Sequence, residues 1–325
     1  MPFIYCRLSA LPANLASPHI TIYKRDSNVV PARREGYSLS IAGFDETGRL
    51  FAARDLGILD DVMKHATQGL GNQFPASGLP TAGNRIARKN LRKVLTDAVG
   101  PEQIQWNTAC VDAQRLPSGK MRVKLSGNHL PANESTVECD LLIIADGAAS
   151  KIRGCLRPDD VLQYAGVMQM GGLAVFPNGI PKPVDKKWGI LLSSGKGVAC
   201  FLSPYDEKSV AWGLSHRAPT IEEPVKINGL EDANNHAVSP FSGYGVSLAL
   251  KDVWDLATQL CSSQTLEEAV KAYDAISMLR ASKVLKESHQ RIDMGHATGF
   301  NYILNRSLVS FGGFILGIKD ALTSS

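Results

Sequence analysis

The run Leu141–Ile144, "LLII", is bounded by Asp140 on one side and by Ala145-Asp146-Gly147 on the other. Four apolar residues in a row, with no polar alternation, fit a strand covered on both faces, the pattern of a parallel sheet between helical layers. That single stretch pushes the chain toward an α/β arrangement. The abrupt stop at Asp146-Gly147 then sets a carboxylate at the strand's C-terminal edge, where open α/β sheets take their ligands. Asp-Gly is also a common turn pair, so taken alone it is explained as well by a bend as by a site.

The rest of the chain alternates between two periods. His19–Lys24, "HITIYK", predicts a short strand. Apolar residues at helical spacing predict helices over Thr47–Met63 and over Asn84–Val99, the second with Ile86, Leu91, Leu95 and Val99 on one face and Gly100 as its stop. From Ile104 to Gly127 the period becomes two, and Pro117-Ser118-Gly119-Lys120 predicts the turn of a hairpin. Strand-like pieces between 160 and 216 predict one antiparallel sheet, and from about 246 the pattern is helical again. Helices and strands, then a sheet, then helices, predict two interleaved domains: 1–158 with 231–325, and 159–230.

Composition narrows the function. Hydrophobic residues make up 44% and charged residues 20%, which fits a globular protein with a real core. The net charge of +4 is small and spread out, so nucleic acid is not an expected partner. The six cysteines at 6, 110, 139, 155, 200 and 261 form no C-x-x-C pair or zinc spacing and read as buried, reduced thiols. No apolar run is long enough to span a bilayer, and the N-terminus lacks the layout of a signal peptide, so a cytoplasmic location is expected. The apolar tail 307–325 reads as a docked terminal helix, with peripheral membrane contact as the lesser alternative.

The segment Asp232–Leu260, "DANNHAVSPFSGYGVSLALKDVWDLATQL", adds a second candidate site. Gly243 and Gly245 stand just before an amphipathic helix. Free backbone N–H groups and the helix dipole there suit an anion, or a ring that becomes anionic during turnover. A glycine loop that merely starts a helix explains a lone G-x-G equally well.

Together, "DLLIIADGAASKIR" and "DANNHAVSPFSGYGVSLALKD" resemble the two downstream motifs of the FAD-dependent aromatic hydroxylases, the flavoprotein monooxygenases of the p-hydroxybenzoate hydroxylase type. "YKRDSNVVPARREGYSLSI" resembles the end of that family's second strand and its following loop, "RIARKNLRKVL" its R-x-x-L-R helix, and "SMLRASKVLKESHQRIDMGHATG" its C-terminal helix. The resemblance implies a Rossmann-like FAD-binding domain interleaved with an antiparallel-sheet substrate domain. It implies FAD as cofactor, NAD(P)H as electron donor and a small aromatic or polyketide-like substrate, with the flavour of fungal secondary metabolism. It places Gly36, Arg88, Asp146, Asp232, Gly243, Gly245 and Val246 in the cofactor site: Arg88 as a flavin contact, Asp146 near the nicotinamide and flavin side, Asp232 on the ribityl chain, and the Gly243–Val246 backbone on the flavin ring.

The chain also departs from the family. It has no N-terminal G-x-G-x-x-G, the loop that receives a dinucleotide pyrophosphate. Its first residues match the end of the family's first helix, so the first strand is expected to be missing. Lys24 stands where the family has a ribose-binding glutamate, and lysine accepts no hydrogen bonds. Glu231-Asp232 replaces Gly-Asp, with Asp232 one residue early relative to His236, and Ser247 replaces an asparagine. The passage from the sheet to Asp232 is short of a helix and a strand. Two other readings therefore stand beside a working oxygenase: a catalytically degenerate relative acting as a binding protein, and a flavin oxidoreductase that is not an oxygenase. His216, His289 and His296 read as structural; Arg33, Arg34, Tyr37 and Trp212 read more readily as surface or core than as site residues.

Overall fold

The structure is a computed structural model that describes residues 19–28, 38–42, 49–68, 83–147, 150–161, 163–191, 193, 195–220 and 245–308. It divides into two compact units, residues 1–35 with 93–163 and residues 36–92 with 164–325. These boundaries differ from the expected ones at 158/159 and 230/231.

The first unit holds two small sheets. Strand β1 (Ile22–Tyr23) pairs in parallel with β5 (Ile104–Gln105), Ile22 opposite Ile104. Ile22, Ile104 and Val99 bury their side chains together, with Trp106 against them. The predicted strand over His19–Lys24 is thus confined to two residues. The second sheet is antiparallel: β6 (Ala109–Arg115), β7 (Met121–Ser126) and β8 (Glu134–Cys139) in that order. The predicted turn sits at its tip, with Leu116 N–H donating to the Lys120 carbonyl over 2.8 Å and Gly119 at φ +85°. Val123, Leu125 and Ala113 form the core with Ile152 of helix α4 (Lys151–Leu156).

The "LLII" run is not a strand. Residues 141–145 carry no ladder, and Ile144 is 40% exposed. The register explains this. Cys139 is the last residue of β8, and it pairs with Met121, the first of β7. Beyond that pair β7 has already entered its turn, so nothing on that side can continue the ladder. Leu142 still packs against the core of this sheet.

The second unit is larger. Strands β2 (Ser38–Ala42), β4 (Gly83–Ala87) and β3 (Ala66–Gln68) form an antiparallel sheet in the order β2-β4-β3. Residues 84–87, expected at the start of a helix, are strand, and the helix, α3, spans Arg88–Val99. Hydrogen bonding on both sides of β4 selects period two there, with Ile86 inward and Arg85 outward. The helix expected over 47–63 is two helices, α1 (Arg49–Asp55) and α2 (Leu59–Lys64), broken where Gly57 adopts φ +72°. Leu39, Ile41 and Ile86 share one face of the sheet, and Ile41 and Ile86 are each only 1% exposed. Helices α1 and α5 (Gly245–Ser262) both pack on β2, and α5 packs on α6 (Leu266–Gly295).

The predicted antiparallel sheet is present as β9 (Val167–Val175), β10 (Gly189–Leu191), β11 (Val198–Pro204) and β12 (Ser209–Arg217), in the order β10-β11-β12-β9. Helix α6 begins with a capping box in which Thr265 and Glu268 each bond the other's backbone N–H over 3.2 Å. Among the described residues no helix is long and apolar enough to cross a membrane. The five described cysteines form no disulfide among themselves; none is buried, and Cys155 is exposed, so the expected burial does not hold for them. Cys6 and the tail beyond 308 lie outside the described residues.

Candidate functional site

The motif Asp146-Gly147-x-x-Ser150-x-x-Arg153 is a turn feeding a capped helix. Gly147 sits at φ +92°, where a Cβ is strained. The Ser150 N–H donates to the Gly147 carbonyl over 3.1 Å, and the Ser150 hydroxyl accepts from the Arg153 N–H over 3.0 Å, capping α4. The Arg153 guanidinium reaches Asp160 at 3.9 Å. Glycine, serine and arginine in this spacing therefore each do a structural job, and they leave Asp146 exposed, within electrostatic reach of Cys110. Burial first, and then the Asp146 charge, push the Cys110 thiol up.

Arg88 is the first residue of α3 and is exposed, with no described residue bound to its guanidinium. Gly245 is the first residue of the 18-residue helix α5, and Val246 the second. Arg88, Gly245 and Val246 belong to the same compact unit, whereas Asp146 belongs to the other. Gly36, Asp232 and Gly243 lie outside the described residues.

Both features suit the ring end of a flavin. The first N–H groups of a long helix have no intrahelical partners and carry partial positive charge, and Arg88 is an exposed cation. A ring that gains negative charge on reduction fits that donor set. At β1 the arrangement is different: Lys24, directly after the strand, pairs with Asp26 at 3.1 Å, and Arg25 approaches the same carboxylate at 3.8 Å. A carboxylate acceptor is thus present two residues beyond the familiar position, already held by two cations.

Sequence reasoning missed a third feature, inside the larger unit. The outward face of the β2-β4-β3 sheet carries Ser38, Ser40, Thr67 and Arg85. It is polar yet largely withdrawn from water: Ser38 is 8% exposed. The Arg85 Nε donates to the Ser38 hydroxyl over 2.9 Å and its Nη2 to the Ser38 carbonyl over 2.5 Å. Its guanidinium lies over the Phe201 ring of β11, 4.1 Å from the centroid, and 5.5 Å from that of Trp188. Burial pushes its pKa down to about 9. No described carboxylate faces it.

Across from Phe201 in the ladder come Gly213 and Gly171, on the same face of the sheet. A Cβ on Gly213 would meet the Gln169 amide nitrogen at 2.6 Å and the Phe201 ring at 3.7 Å, so the Gln169 carboxamide lies over bare backbone beside the ring. Trp212 is on the opposite face, its indole nitrogen 3.0 Å from where a Gly172 Cβ would stand. No period-two signal marks this strand in the sequence, since Asn84 and Arg85 are both polar and Ile86 and Ala87 both apolar, and the helical spacing of the residues after them dominates.

No family model matches the chain. A relative, monooxygenase cfoF of Aspergillus candidus, is 32% identical over 360 aligned residues, covering 88% of this chain and 86% of the relative. The aligned length exceeds the chain's own 325 residues, so the alignment contains positions this chain lacks. Among solved structures, tetracycline destructase Tet(55) superposes with a TM-score of 0.72 at 16% identity, over 96% of this chain and 92% of that one. Klebsiella pneumoniae HpxO complexed with FAD and uric acid superposes with a TM-score of 0.68 at 16% identity, over 100% and 94%. These likenesses establish the fold, a mixed α/β architecture of the FAD-binding monooxygenase type. With the 32% identical relative beside them, the chain belongs to the monooxygenases, and its fold is that of the FAD-binding ones. It is an enzyme of that class.

Proposed function

We propose that this monooxygenase hydroxylates an aromatic or polyketide-like small molecule in the cytoplasm, draws its electrons from NAD(P)H and serves secondary-metabolite biosynthesis. The observation that carries the aromatic part is the Arg85–Phe201–Trp188 cluster. There a withdrawn polar sheet face meets aromatic rings in the unit that also holds Arg88 and the Gly245 helix start. Flat ring systems suit such walls, and the HpxO structure holds one, uric acid. Bound FAD supplies the redox chemistry. The chain's own residues bind and orient the substrate and keep water out.

In this reading residues 1–158 and 231–325 serve the cofactor, and 159–230 serve the substrate. Arg88 and the N–H groups at Gly245 and Val246 hold the flavin ring, joined by Gly243; Asp232 takes the ribityl chain. Gly36 lies along the cofactor, and Asp146 organises the nicotinamide side. Support comes from the exposed cation at the head of α3 and the glycine start of α5.

The test is NAD(P)H oxidation by FAD-reconstituted protein against a panel of phenols and aromatic polyketides, under labelled dioxygen. Label in a hydroxylated product supports the reading. NAD(P)H oxidation with product free of label would mark a non-oxygenase oxidoreductase, and no NAD(P)H oxidation at all a degenerate relative.

A further inference from the structure

The helix over residues 299–308, which follows α6, is amphipathic the wrong way round. Phe300, Ile303, Leu304 and Leu308 fall at the i, i+3, i+4, i+8 spacing of one helix face. That face looks into water: the four residues are 75%, 60%, 45% and 60% exposed. Tyr302 and Asn305, on the other side of the helix, are the half-buried ones. A globular fold normally turns such a stripe inward, because burying each apolar side chain is stabilising.

The start of this helix is pinned, so it cannot roll over to hide the stripe. The Ser193 hydroxyl donates to the Ala297 carbonyl over 2.7 Å, and Lys196 forms an antiparallel bridge with Thr298. The Tyr302 ring lies 3.2 Å from where a Cβ on Gly195 would stand. The loop between β10 and β11 thus holds the polar side. Charge then says what the other side meets. A cleft at the helix start is lined by Lys196, His216, Arg217, Asp293, Thr298 and Asn301. Arg217 takes Asp293, while Lys196 is exposed and has no acid partner among the described residues. Arg306, also exposed, borders the stripe. From Met294 to Lys319 the sequence has no aspartate or glutamate, and its apolar residues keep helical spacing past the stripe at Phe311, Phe314, Ile315 and Ile318. The uncharged run 307–318 is shorter than the roughly 18 residues of a spanning segment and fits one that lies in an interface.

We propose that the stripe Phe300, Ile303, Leu304 and Leu308 is a membrane-docking surface, which lays this helix flat on a bilayer that carries anionic headgroups. The apolar side chains enter the boundary between headgroups and acyl chains, and Lys196 and Arg306 meet the phosphates. An anionic bilayer satisfies the exposed stripe and its acid-free, basic border together. A second copy of this chain suits them less, because a two-fold contact would set the two basic borders against each other. The inference goes beyond the reaction proposed above and uses no part of it.

Co-sedimentation of the FAD-reconstituted protein with sucrose-loaded vesicles tests this, comparing pure phosphatidylcholine with phosphatidylcholine carrying about 30% phosphatidylserine. The wild type is expected to partition about fivefold or more strongly into the anionic vesicles. Phe300→Ser combined with Ile303→Ser should lower that partitioning about tenfold or more. Lys196→Glu should lower it about fivefold and leave binding to neutral vesicles within about twofold. Leu279→Ser, at an exposed apolar position of α6 away from the stripe, should stay within about twofold of wild type. The inference is overturned if the wild type sediments with neither vesicle or equally with both, if the double variant binds undiminished, or if Leu279→Ser weakens binding as much as the double variant does. A dimer in analytical ultracentrifugation that the double variant dissociates, with no vesicle binding, would assign the stripe to a second copy and overturn it too. Should the double variant lose its circular dichroism signature of folding, undiminished binding of Lys196→Glu to anionic vesicles overturns it as well. Vesicle binding needs no turnover, so its failure leaves the oxygenase reading untouched.

Discussion

The guanidinium of Arg85 lies 4.1 Å above the ring of Phe201, and no carboxylate among the described residues shares the space. A charge held without a counter-charge is a cost to the fold. In Arg85→Met the relief of an uncompensated charge is offset by the loss of both bonds to the buried Ser38, so its stability in urea denaturation is expected to stay within about 2 kcal/mol of wild type. The sign of the pH effect follows. Arg85 titrates at about 9 in the folded protein and well above that once unfolding returns it to water, so at pH values above 9 the unfolded chain binds the extra proton. Wild-type stability should then rise relative to Arg85→Met as pH increases above 9. A loss of several kcal/mol in Arg85→Met at neutral pH would show that the arginine is a structural tie.

His296 makes the opposite kind of contact. It is 2% exposed, its Nδ1 faces the Ile292 carbonyl at 2.9 Å and its Nε2 the Ser215 hydroxyl at 2.9 Å. With Nδ1–H donating, the neutral ring accepts from serine, and both nitrogens are used. Burial holds its pKa below the usual 6.5; the charges of Arg217 and His216 add to this, and the bond to Ile292 opposes it. The unfolded chain therefore takes up the proton first. Stability is fully present above pH 6.5 and declines as pH falls through and below it. His296→Gln should flatten that acid limb in pH-dependent thermal unfolding; an unchanged limb would assign it to other groups.

Arg280 ties α6 to α5 through two carboxylates three residues apart, and its Nε has no partner among the described residues. Burial lifts the Asp252 carboxyl above its usual range against the pull of Arg280. Removing the guanidinium leaves both acids desolvated, beside a Lys251 that already holds Asp255. Arg280→Ala should cost about 3–5 kcal/mol, and Arg280→Lys less. Urea titration of the two variants checks the order.

The cap on α4 is a local test of how the Asp146 turn is built. Ser150→Ala should cost about 1 kcal/mol, and Gly147→Ala about as much again because of its φ of +92°. Denaturation midpoints measure both. A neutral Gly147→Ala would mean the turn relaxes freely.

Much of this was legible in the sequence, and the failures share a cause. The hairpin around Gly119 and the sheet between 160 and 216 announce themselves through local periodicity and turn residues, so they stand where expected. The Leu141–Ile144 run and the Asn84–Ala87 segment do not, because their state depends on partners distant in sequence. The first runs past the start of β7; the second is claimed on both sides by β2 and β3. The family was readable because Gly147, Ser150 and Arg153 sit at spacings fixed by a turn and a cap. Arg85 was not, since nothing in "NRIARK" reveals that Phe201 lies across from it.

The most direct test of the whole account is retention of FAD. Purified protein incubated with FAD and desalted should remain yellow with close to equimolar flavin, and Arg88→Ala should release a large part of it. Wild-type protein that elutes colourless while the added FAD passes through free would contradict the assignment of this chain as a working FAD-dependent monooxygenase.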